Sequence, residues 1–424
     1  NLLVAFLPNL LIAPVDATLE ETFQKTVERL KKLGLLDQKD LELLERVDAA
    51  SSDLVTPEYE SYIERKFDEL AVPILSKHGV MGIPIEEKYG GDGAGPLVHS
   101  LAMERFGQVG MGIVTLVDVH QFLGSLTIQQ WGTEEQRTSI LPEAAKGKSV
   151  LAYALTEPEA GSDPASMTTS FEKRGEEFIL NGSKYLISNG SIARYLVVFA
   201  KSKVDNKISA FIVDSKTSGF EVAMGLSEKL GLFTSDTALL EFHDMAIPKE
   251  ALLGTLGKGL SVAYSALLNG RIGIASGCVG VMEDCLNSCI ERTKYRTQHG
   301  KEIGKHQLIQ KHLAHIATDL ESSRWPVYVA AMMKEELDRD PREPELLRSF
   351  DRQSATAKLI ASRNAYDASD RAVQIFGGFG YSILSPVGKH LLDTRVARIY
   401  EGTDEIMELK IASSILGREF EAYK

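Results

Sequence analysis

The sequence EEFILNGSKYLISNG, residues 176–190, decides how this chain is divided. Two short apolar runs flank the pair Asn181–Gly182, which is typical of a two-residue β-hairpin turn. Further short runs rich in β-branched residues follow as far as Gly254, among them RYLVVFAKS, ISAFIVD and TALLEFHDMAI. Helical stretches of a dozen residues, which a Rossmann sheet needs between its strands, do not separate these runs. The sequence therefore predicts a β domain over residues 151–256, with a hairpin at Asn181–Gly182.

Helical periodicity dominates on both sides of this β domain. Before it, LEETFQKTVERLKKLGLL and PEYESYIERKFDELAVPIL carry apolar residues at spacings of three and four. After it, the stretch from Leu260 to Gln298 is long enough to form one helix despite its glycines. The sequence therefore predicts an α+β fold of three domains: an N-terminal helical domain (residues 1–150), the middle β domain, and a C-terminal helical bundle (residues 257–424).

Composition limits what the protein can bind. The chain has 424 residues, a net charge of −12 and a pI of about 5.4. Nucleic-acid-binding domains are usually basic, so nucleic acid is not an expected partner. Three cysteines, Cys278, Cys285 and Cys289, share one apolar stretch without the spacing of a metal site. We expect them to pack in a core in a reducing compartment, and no metal site is predicted.

The first fourteen residues, NLLVAFLPNLLIAP, are apolar but are interrupted by Pro8 and Pro14. The run is too short to span a bilayer and carries no basic region, so no membrane span is predicted. We expect this segment to serve in packing or at an interface.

A candidate catalytic residue lies in IYEGTDEI, residues 399–406. Thr403 is a favourable helix N-cap, the acids after it suit a first helical turn, and apolar residues at helical spacing follow. Glu401 therefore precedes the helix, on a segment that Gly402 allows to bend. A carboxylate in this place can favour the helix dipole, or it can point into a cleft as a general base.

Two stretches, YALTEPEAGSD (153–163) and QIFGGFGY…IYEGTDEI (374–406), closely resemble the signature regions of the acyl-CoA dehydrogenases. Between them, KLGLFTSDTALLEF and YRTQHGKEIGKHQLIQ resemble two further stretches of that family in the same order. The resemblance runs from about Gly79 to Leu416, and the first 50 or so residues match weakly, as an atypical extension. It implies an N-terminal helical domain, a middle β domain of barrel or sandwich type, and a C-terminal four-helix bundle.

The resemblance implies a flavin enzyme that forms an α,β double bond in an acyl-CoA thioester. In this family a base removes the α-proton while the β-hydride passes to N5 of FAD, and Glu401 matches the base. Some members carry the base just before an arginine in the first long bundle helix, where this chain has Gly270. FAD would lie between the β domain, the bundle and a neighbouring subunit, in a homo-oligomer that is usually a tetramer and sometimes a dimer.

The expected electron acceptor is an electron-transferring flavoprotein, because the chain ends soon after the signature, without the further domain that acyl-CoA oxidases often carry. The alternatives are an acyl-CoA oxidase and a non-catalytic flavoprotein scaffold on the same fold. The expected location is the cytoplasm of a bacterium or archaeon, or the mitochondrial matrix. Acyl chain length, branching, and the choice between a CoA and a carrier-protein thioester stay open.

The resemblance also assigns residues to the cofactor and the substrate by position. The cofactor-binding set is Tyr153, Leu155, Thr156, Gly161, Ser162, Leu186, Ser188, Arg296, Gln298, His299, Ile303, His306, Gln374, Gly377, Gly378, Thr403 and Glu405. The stretch that begins at Arg296 is expected to reach the FAD of another subunit, and Ser188 to lie near flavin N5. The substrate-binding set is Ser162, Arg271, Tyr400 and Gly402. Without the resemblance, the glycines are typical of turns and helix caps, and Arg271 of a surface charge.

Several positions depart from the family pattern. The replacements are Leu186 for tryptophan, His299 for phenylalanine, Phe233 for arginine, Leu384 for an acid, Leu392 for arginine and Met407 for glutamine. We therefore expect altered stacking on the flavin, repacked charge networks in the bundle or at its interface, and room for an unusual acyl substrate.

Overall fold

The structure, a computed structural model, describes residues 21–341 and 343–420. The apolar segment at residues 1–14, predicted to serve in packing or at an interface, lies outside the described residues. The N-terminal part is helical, with α1 (Glu21–Lys32), α2 (Gln38–Glu64), α3 (Ala71–Lys77), α4 (Pro96–Val109), α5 (Met111–Asp118), α6 (Leu126–Trp131) and α7 (Glu134–Ala145). A π-helical turn, Val119–Ser125, joins α5 to α6.

Local sequence explains where the first of these helices begin and end. Asp37 and Asp40 form a capping box at the start of α2, and Thr133 and Gln136 form another at α7. Each box satisfies two backbone N–H groups that the first helical turn would leave without partners. Helix α2 ends at Arg65, whose left-handed φ of 54° turns the chain toward α3.

The middle part folds into a mixed sheet of eight strands, which confirms the predicted β domain. The strands are β1 (Leu151–Ala154), β2 (Ser170–Arg174), β3 (Glu177–Ser188), β4 (Tyr195–Ser202), β5 (Ile208–Asp214), β6 (Phe220–Gly225), β7 (Thr237–Pro248) and β8 (Leu252–Leu253). Their order is β6-β7-β3-β2-β4-β5-β8, and β1 pairs in parallel with β4. One apolar cluster of the sheet includes residues of α6 and α7, so the helical domain packs directly on the strands.

The hairpin predicted at Asn181–Gly182 is wrong. Both residues lie within β3, and the turn falls instead at Gly175, between β2 and β3, with a φ of 62°. Gly182 marks a shift in register against β7, and a Cβ there would stand 2.6 Å from the Cα of Thr169. Glycine is needed at this position because two backbones approach closely at a bulge. The pair Asn181–Gly182 suits such a bulge as well as it suits a turn.

The C-terminal part is helical again, and its long first helix is confirmed. The helices are α8 (Gly259–Tyr295), α9 (Gln307–Arg339), α10 (Pro344–Phe376), α11 (Pro386–Thr394) and α12 (Asp404–Leu416). A small hairpin of β9 (Thr297–Gln298) and β10 (Lys301–Glu302) follows α8. The three cysteines are free and buried on α8, as predicted for core packing.

Two helical segments of the described chain have the length and apolar character of a membrane span, Met111–Trp131 and Gly259–Tyr295. Their most apolar windows are 94% and 83% buried inside the fold. Here these segments form the core contact between the N-terminal helices and the bundle.

Helix α8 packs against α4 at close range. A Cβ on Gly280 would stand 1.9 Å from the backbone carbonyl of Glu104, so only glycine fits there. Arg324 of α9, fully buried, donates to the Glu104 carboxylate at 2.8 Å and also contacts Glu283. Tyr328 donates to the other Glu104 oxygen at 2.6 Å. A buried charge network therefore joins the N-terminal helices to the bundle, and its members satisfy one another.

The structure accounts for two departures from the family pattern. The Phe233 ring is buried against Tyr62, with ring centroids 5.7 Å apart, and the guanidinium of Arg65 lies 5.3 Å from its centre. An arginine at position 233 would face Arg65, so the aromatic ring replaces a repulsive pair by a cation–π contact. At Leu384 the backbone carbonyl, not a side chain, accepts a hydrogen bond from Tyr59 at 2.8 Å.

Candidate active site

Glu401 lies in a bend just before α12, as the sequence predicts. Thr403 caps the helix by accepting a hydrogen bond from the Ile406 N–H at 3.3 Å. Glu401 has a φ of 57° and Gly402 a φ of 102°, so a non-glycine residue occupies the left-handed region beside the glycine. Such strain persists only where the surroundings hold it, and it concentrates at functional sites.

Two buried cations hold this bend by its backbone. Arg271 donates from Nε to the Glu401 carbonyl at 3.4 Å, and Lys358 donates from Nζ to the Gly402 carbonyl at 2.6 Å. Arg271 also pairs with Asp351 at 2.9 Å. Because Arg271 is 2% exposed, its interpretation as a surface charge is wrong. Its contact with substrate stays a prediction.

The Glu401 carboxyl points into the protein. Its Oε2 is buried and has no hydrogen-bond partner among the described residues, although the residue as a whole keeps some exposure. Burial raises the pKa of Glu401 to about 7, against the lowering effect of Arg271 and Lys358. A carboxylate with this pKa takes up and releases a proton near neutral pH, as a general base must.

Helix α8 makes room for this carboxyl at Gly270. A Cβ built on Gly270 would stand 2.5 Å from Glu401 Oε2 and 2.8 Å from its Cδ. Contacts as short as these do not occur between real atoms. Gly270 therefore carries no carboxylate itself and leaves the space that the Glu401 carboxylate occupies.

The predicted flavin loop, residues 153–163 (YALTEPEAGSD), lies near the same carboxyl. Tyr153, the third residue of β1, is buried and donates its hydroxyl to the Ala263 carbonyl at 3.2 Å. Burial raises the pKa of Tyr153, and the charge of Glu401 adds to this effect, so the two groups lie within range of each other's electric field. The Thr156 carbonyl accepts from the Tyr185 N–H at 2.9 Å, which fastens the loop to β3.

The surface beside this loop fits the flat ring system of a flavin. Leu186, near the end of β3, has a φ of 58° and remains 52% exposed, although Ile187 beside it is buried. A Cβ on Gly161 would meet no atom within 4 Å, so a ligand can approach the loop backbone there. An apolar face, an accessible backbone and the half-buried Ser188 provide stacking and polar contacts for such a ring.

A buried ion pair beneath the loop was missed by sequence reasoning. Lys184 donates from Nζ to Glu157 at 2.8 Å, with side chains 0% and 1% exposed. Burial opposes ionisation of Glu157, but Lys184 and the Thr168 and Thr169 donors outweigh it and lower its pKa to about 2. Burial lowers the pKa of Lys184 to about 8, so both groups are charged at neutral pH. A lysine in a strand pattern usually indicates an exposed face, which is why the sequence carried no signal for the pair.

The next predicted cofactor residues lie on and beside the β9–β10 hairpin. Arg296, Gln298 and His299 are exposed, and His299 has a left-handed φ of 53°. Ile303 is buried beneath them, and His306, which precedes α9, has Nε2 3.3 Å from the Gln298 carbonyl. The hairpin therefore presents an arginine, an amide and an imidazole to solvent as one group.

The last residues of α10 lie near the same end of the bundle. Arg292 donates to the Phe376 carbonyl at 3.2 Å, and its guanidinium lies 4.9 Å from the centre of the Phe376 ring. Gln374, Gly377 and Gly378 are exposed, and a Cβ on either glycine would meet no atom within 4 Å. This open backbone can accept a ligand, as predicted for the adenosine half of FAD.

A single chain does not bring the hairpin to the flavin loop. Twenty-five residues of α8 separate Gly270, beside Glu401, from Tyr295, beside the hairpin. At 1.5 Å per residue this is about 37 Å. The predicted cofactor residues therefore form two separate groups in one subunit.

Of the other predicted site residues, some are exposed and some are buried or engaged in capping a helix. Ser162 is exposed on the flavin loop, and Glu405 is exposed in the first turn of α12. Thr403 is engaged as the helix cap. The Tyr400 hydroxyl is buried, and burial raises its pKa, an effect to which the charges of Asp118 and Glu401 add.

The three parts of the chain match three domains of one protein family. Residues 37–148 match the acyl-CoA dehydrogenase N-terminal domain, residues 152–245 the middle domain, and residues 257–416 the C-terminal domain. The chain belongs to the acyl-CoA dehydrogenase family. The match begins at residue 37, so the similarity to the family extends further toward the N-terminus than Gly79, where the motifs begin.

Similar acyl-CoA dehydrogenases are known as sequences and as structures. That of Bacillus subtilis is 38% identical over 361 residues, which cover 84% of this chain and 92% of the relative. Butyryl-CoA dehydrogenase from Megasphaera elsdenii has a TM-score of 0.84 at 34% identity and covers 90% of this chain and 99% of its own. An acyl-CoA dehydrogenase from Bacillus anthracis, solved in complex with FAD, has a TM-score of 0.84 at 30% identity. The match covers 90% of this chain and 67% of the Bacillus anthracis chain. These relatives confirm the enzyme class, an oxidoreductase, and FAD as the cofactor of the family.

Proposed function

We propose that this acyl-CoA dehydrogenase binds FAD and forms an α,β double bond in a short acyl thioester, with Glu401 as the base for the α-proton. The observation that carries the proposal is the Glu401 carboxyl, whose Oε2 is buried against Gly270 and unpartnered among the described residues. The similar structure of a butyryl-CoA dehydrogenase supports a short acyl chain.

The α-proton of a thioester is only weakly acidic, so its removal requires a base with a raised pKa in a site that excludes water. Burial gives Glu401 such a pKa, about 7. Arg271 and Lys358, both buried, offset the charge of the carboxylate when it ionises. Bound FAD would accept the hydride that leaves the β carbon. The strained bend at Glu401 fixes where the base stands before substrate arrives.

Cofactor binding involves two copies of the chain in this proposal. Tyr153, Leu155, Thr156, Leu186 and Ser188 would hold the flavin end. The β9–β10 hairpin would hold the other end of a neighbour's FAD, since about 37 Å of helix separates it from the flavin loop of its own chain. A homo-oligomer, a tetramer or a dimer, follows from this division.

The proposed electron acceptor is an electron-transferring flavoprotein, since the relatives from Bacillus subtilis and Megasphaera elsdenii carry the name dehydrogenase. An acyl-CoA oxidase and a non-catalytic scaffold are the alternatives. Fast peroxide formation in air would indicate the oxidase, and FAD that no acyl-CoA reduces would indicate the scaffold. The bacterial cytoplasm or the mitochondrial matrix stays the predicted location.

The test is anaerobic rapid mixing of the FAD-loaded protein with butyryl-CoA, followed by flavin absorbance. Reduction should slow by roughly 10²–10⁴ in Glu401→Gln, which keeps the size of the side chain but not the base. Glu336→Gln is the matched control, because this acid is exposed on α9 and belongs to none of the predicted site residues. Equal rates in Glu401→Gln and the parent would exclude Glu401 as the base.

A further inference from the structure

A second carboxyl, Asp118, lies in the interior near Glu401. Asp118 is the last residue of α5 and is 1% exposed. Neither of its oxygens has a hydrogen-bond partner within residues 21–341 and 343–420. The π-helical turn Val119–Ser125 follows it directly, and such turns are frequent at functional sites. An unpaired buried carboxyl is costly, so a group outside the described chain is expected to satisfy it.

Two glycines of α8 show where the two carboxyls stand. A Cβ on Gly270 would stand 2.5 Å from Glu401 Oε2, and a Cβ on Gly273 would stand 2.0 Å from Asp118 Oδ1. Residues three apart lie on the same face of a helix, about 5 Å from each other. Glu401 and Asp118 therefore both lie against one face of α8, about one helical turn apart.

Burial and the nearby Glu401 carboxyl both disfavour ionisation of Asp118. Burial raises the pKa of Asp118 well above its ordinary value, and the charge of Glu401 raises it further. A protonated carboxyl both donates and accepts a hydrogen bond. The Asp118 carboxyl can therefore bind a hydroxyl. It can also lose its proton when a cation binds, because the cation neutralises the carboxylate.

His99 places a second buried polar group near Asp118. Its ring stacks on Phe122 at 3.8 Å, and a Cβ on Gly273 would stand 2.7 Å from that phenylalanine. The Nε2 of His99 is buried and also lacks a partner among the described residues. Burial lowers the pKa of His99 to about 3, so the imidazole is neutral and does not compensate Asp118. A purely aliphatic acyl chain would leave both polar groups unsatisfied.

We propose that Asp118 is a specificity-determining residue that selects acyl groups with a hydrogen-bond-donating substituent, a hydroxyl or an ammonium, on the fourth carbon. The inference deepens the proposed function and rests on it, because the reacting α carbon must lie at Glu401. Gly270 and Gly273 lie about one helical turn apart, so a polar group a few bonds beyond the reacting carbon comes within reach of Asp118. A second carboxylate at the end of the acyl group is disfavoured, because it would face two acids.

The test uses CoA thioethers, which lack the acyl carbonyl and cannot react. S-pentyl-CoA, S-(4-hydroxybutyl)-CoA and S-(4-aminobutyl)-CoA are nearly equal in size, and calorimetry on the FAD-loaded protein measures their Kd. One or both polar ligands should bind roughly ten- to a hundredfold more tightly than S-pentyl-CoA, as expected for one or two buried hydrogen bonds. Asp118→Leu should abolish that preference. Asp118→Asn should keep the preference for the hydroxyl and lose any preference for the ammonium.

Tighter binding of S-pentyl-CoA than of both polar ligands would overturn the inference, as would an unchanged preference in Asp118→Leu. The FAD absorbance of each variant checks that it is folded. Failure of the proposed function is visible separately, because in that case no acyl-CoA thioester bleaches the flavin, whatever the thioethers do.

Discussion

Glu401 and Gly270 share one place in the structure, because the carboxyl of the first fills the space that a side chain on the second would need. A Cβ on Gly270 would stand 2.5 Å from Glu401 Oε2. The proposed base therefore reaches the site from the bend before α12. The position on α8 that carries the base in some acyl-CoA dehydrogenases is occupied by the carboxylate of another segment.

Gly270→Ala should damage catalysis without damaging the fold. Alanine favours a helix interior over glycine by about 1 kcal/mol, but its methyl group must displace the Glu401 carboxyl. A misplacement of about 1 Å can cost roughly 10²-fold in rate, so flavin reduction by butyryl-CoA should slow by that order while FAD content stays normal. Gly225→Ala, at an exposed glycine with no atom within 4 Å of a Cβ, is the matched control. A parent-like rate in Gly270→Ala would mean that Glu401 does not need this space.

The rate of flavin reduction should follow the ionisation of Glu401. The carboxyl must be unprotonated to act as a base, and its pKa is raised to about 7. Single-turnover rates should therefore fall about tenfold for each pH unit below 7 and level off above it. Stopped-flow absorbance from pH 5 to 8.5 measures this profile. A rate that is flat across that range would contradict a base with this pKa.

The raised pKa of Glu401 also has a cost in stability. The folded protein binds a proton at Glu401 up to about pH 7, whereas the unfolded chain releases it near the ordinary value of 4.5. Stability is therefore lost as the pH rises between these values, by about 3 kcal/mol. Glu401→Gln avoids this loss, so its thermal midpoint should gain on the parent between pH 5 and pH 8. Parallel midpoints at both pH values would show that the carboxyl is not desolvated in the folded protein.

Lys184→Met should weaken FAD binding and lower stability. It leaves the Glu157 carboxylate buried without its cation, and breaking a buried pair in this way costs about 3–5 kcal/mol. The flavin loop contains Glu157, and its Leu155 carbonyl also accepts from Lys184 at 3.0 Å. Thermal unfolding and fluorescence titration with FAD measure the two effects. Lys249→Met, which breaks an exposed pair with Glu176, should change neither, and equal behaviour of the two variants would contradict a structural role for the buried pair.

Arg296→Ala should weaken FAD binding without changing the oligomer. The exposed guanidinium would contact the diphosphate of a neighbour's FAD, and charge-assisted bonds of this kind contribute about 1.5–3 kcal/mol, roughly ten- to a hundredfold in Kd. Sedimentation together with FAD titration measures both properties. Lys294→Ala, exposed two residues earlier, is the control. A monomer that retains a full complement of FAD would disprove the shared site.

The sequence by itself determined the order of the domains and the place of the proposed base, Glu401, before a helix. Helical and strand periodicities are local properties, so they revealed α8, the β domain and its end near Gly254 without knowledge of any contact. The N-cap at Thr403 and the flexible Gly402 placed Glu401 outside α12 for the same reason. The left-handed φ of Glu401 itself was not predicted, because contacts of Arg271 and Lys358 with the neighbouring carbonyls hold it.

Only the tertiary structure decided which groups are buried together. Asn181–Gly182 carries a strong turn signal, yet close approach to Thr169 and pairing with β7 make it part of a continuous strand. Asp118 and Glu401 are 283 positions apart in the chain (401 − 118), and only the packing of α5 on α8 brings both onto one helix face. Burial shifts a pKa by removing water from a charge, and the removal of water depends on segments that are distant in sequence. The raised pKa of Glu401 and the positions of Asp118 and His99 near it therefore depend on the tertiary fold. No local sequence pattern indicates them.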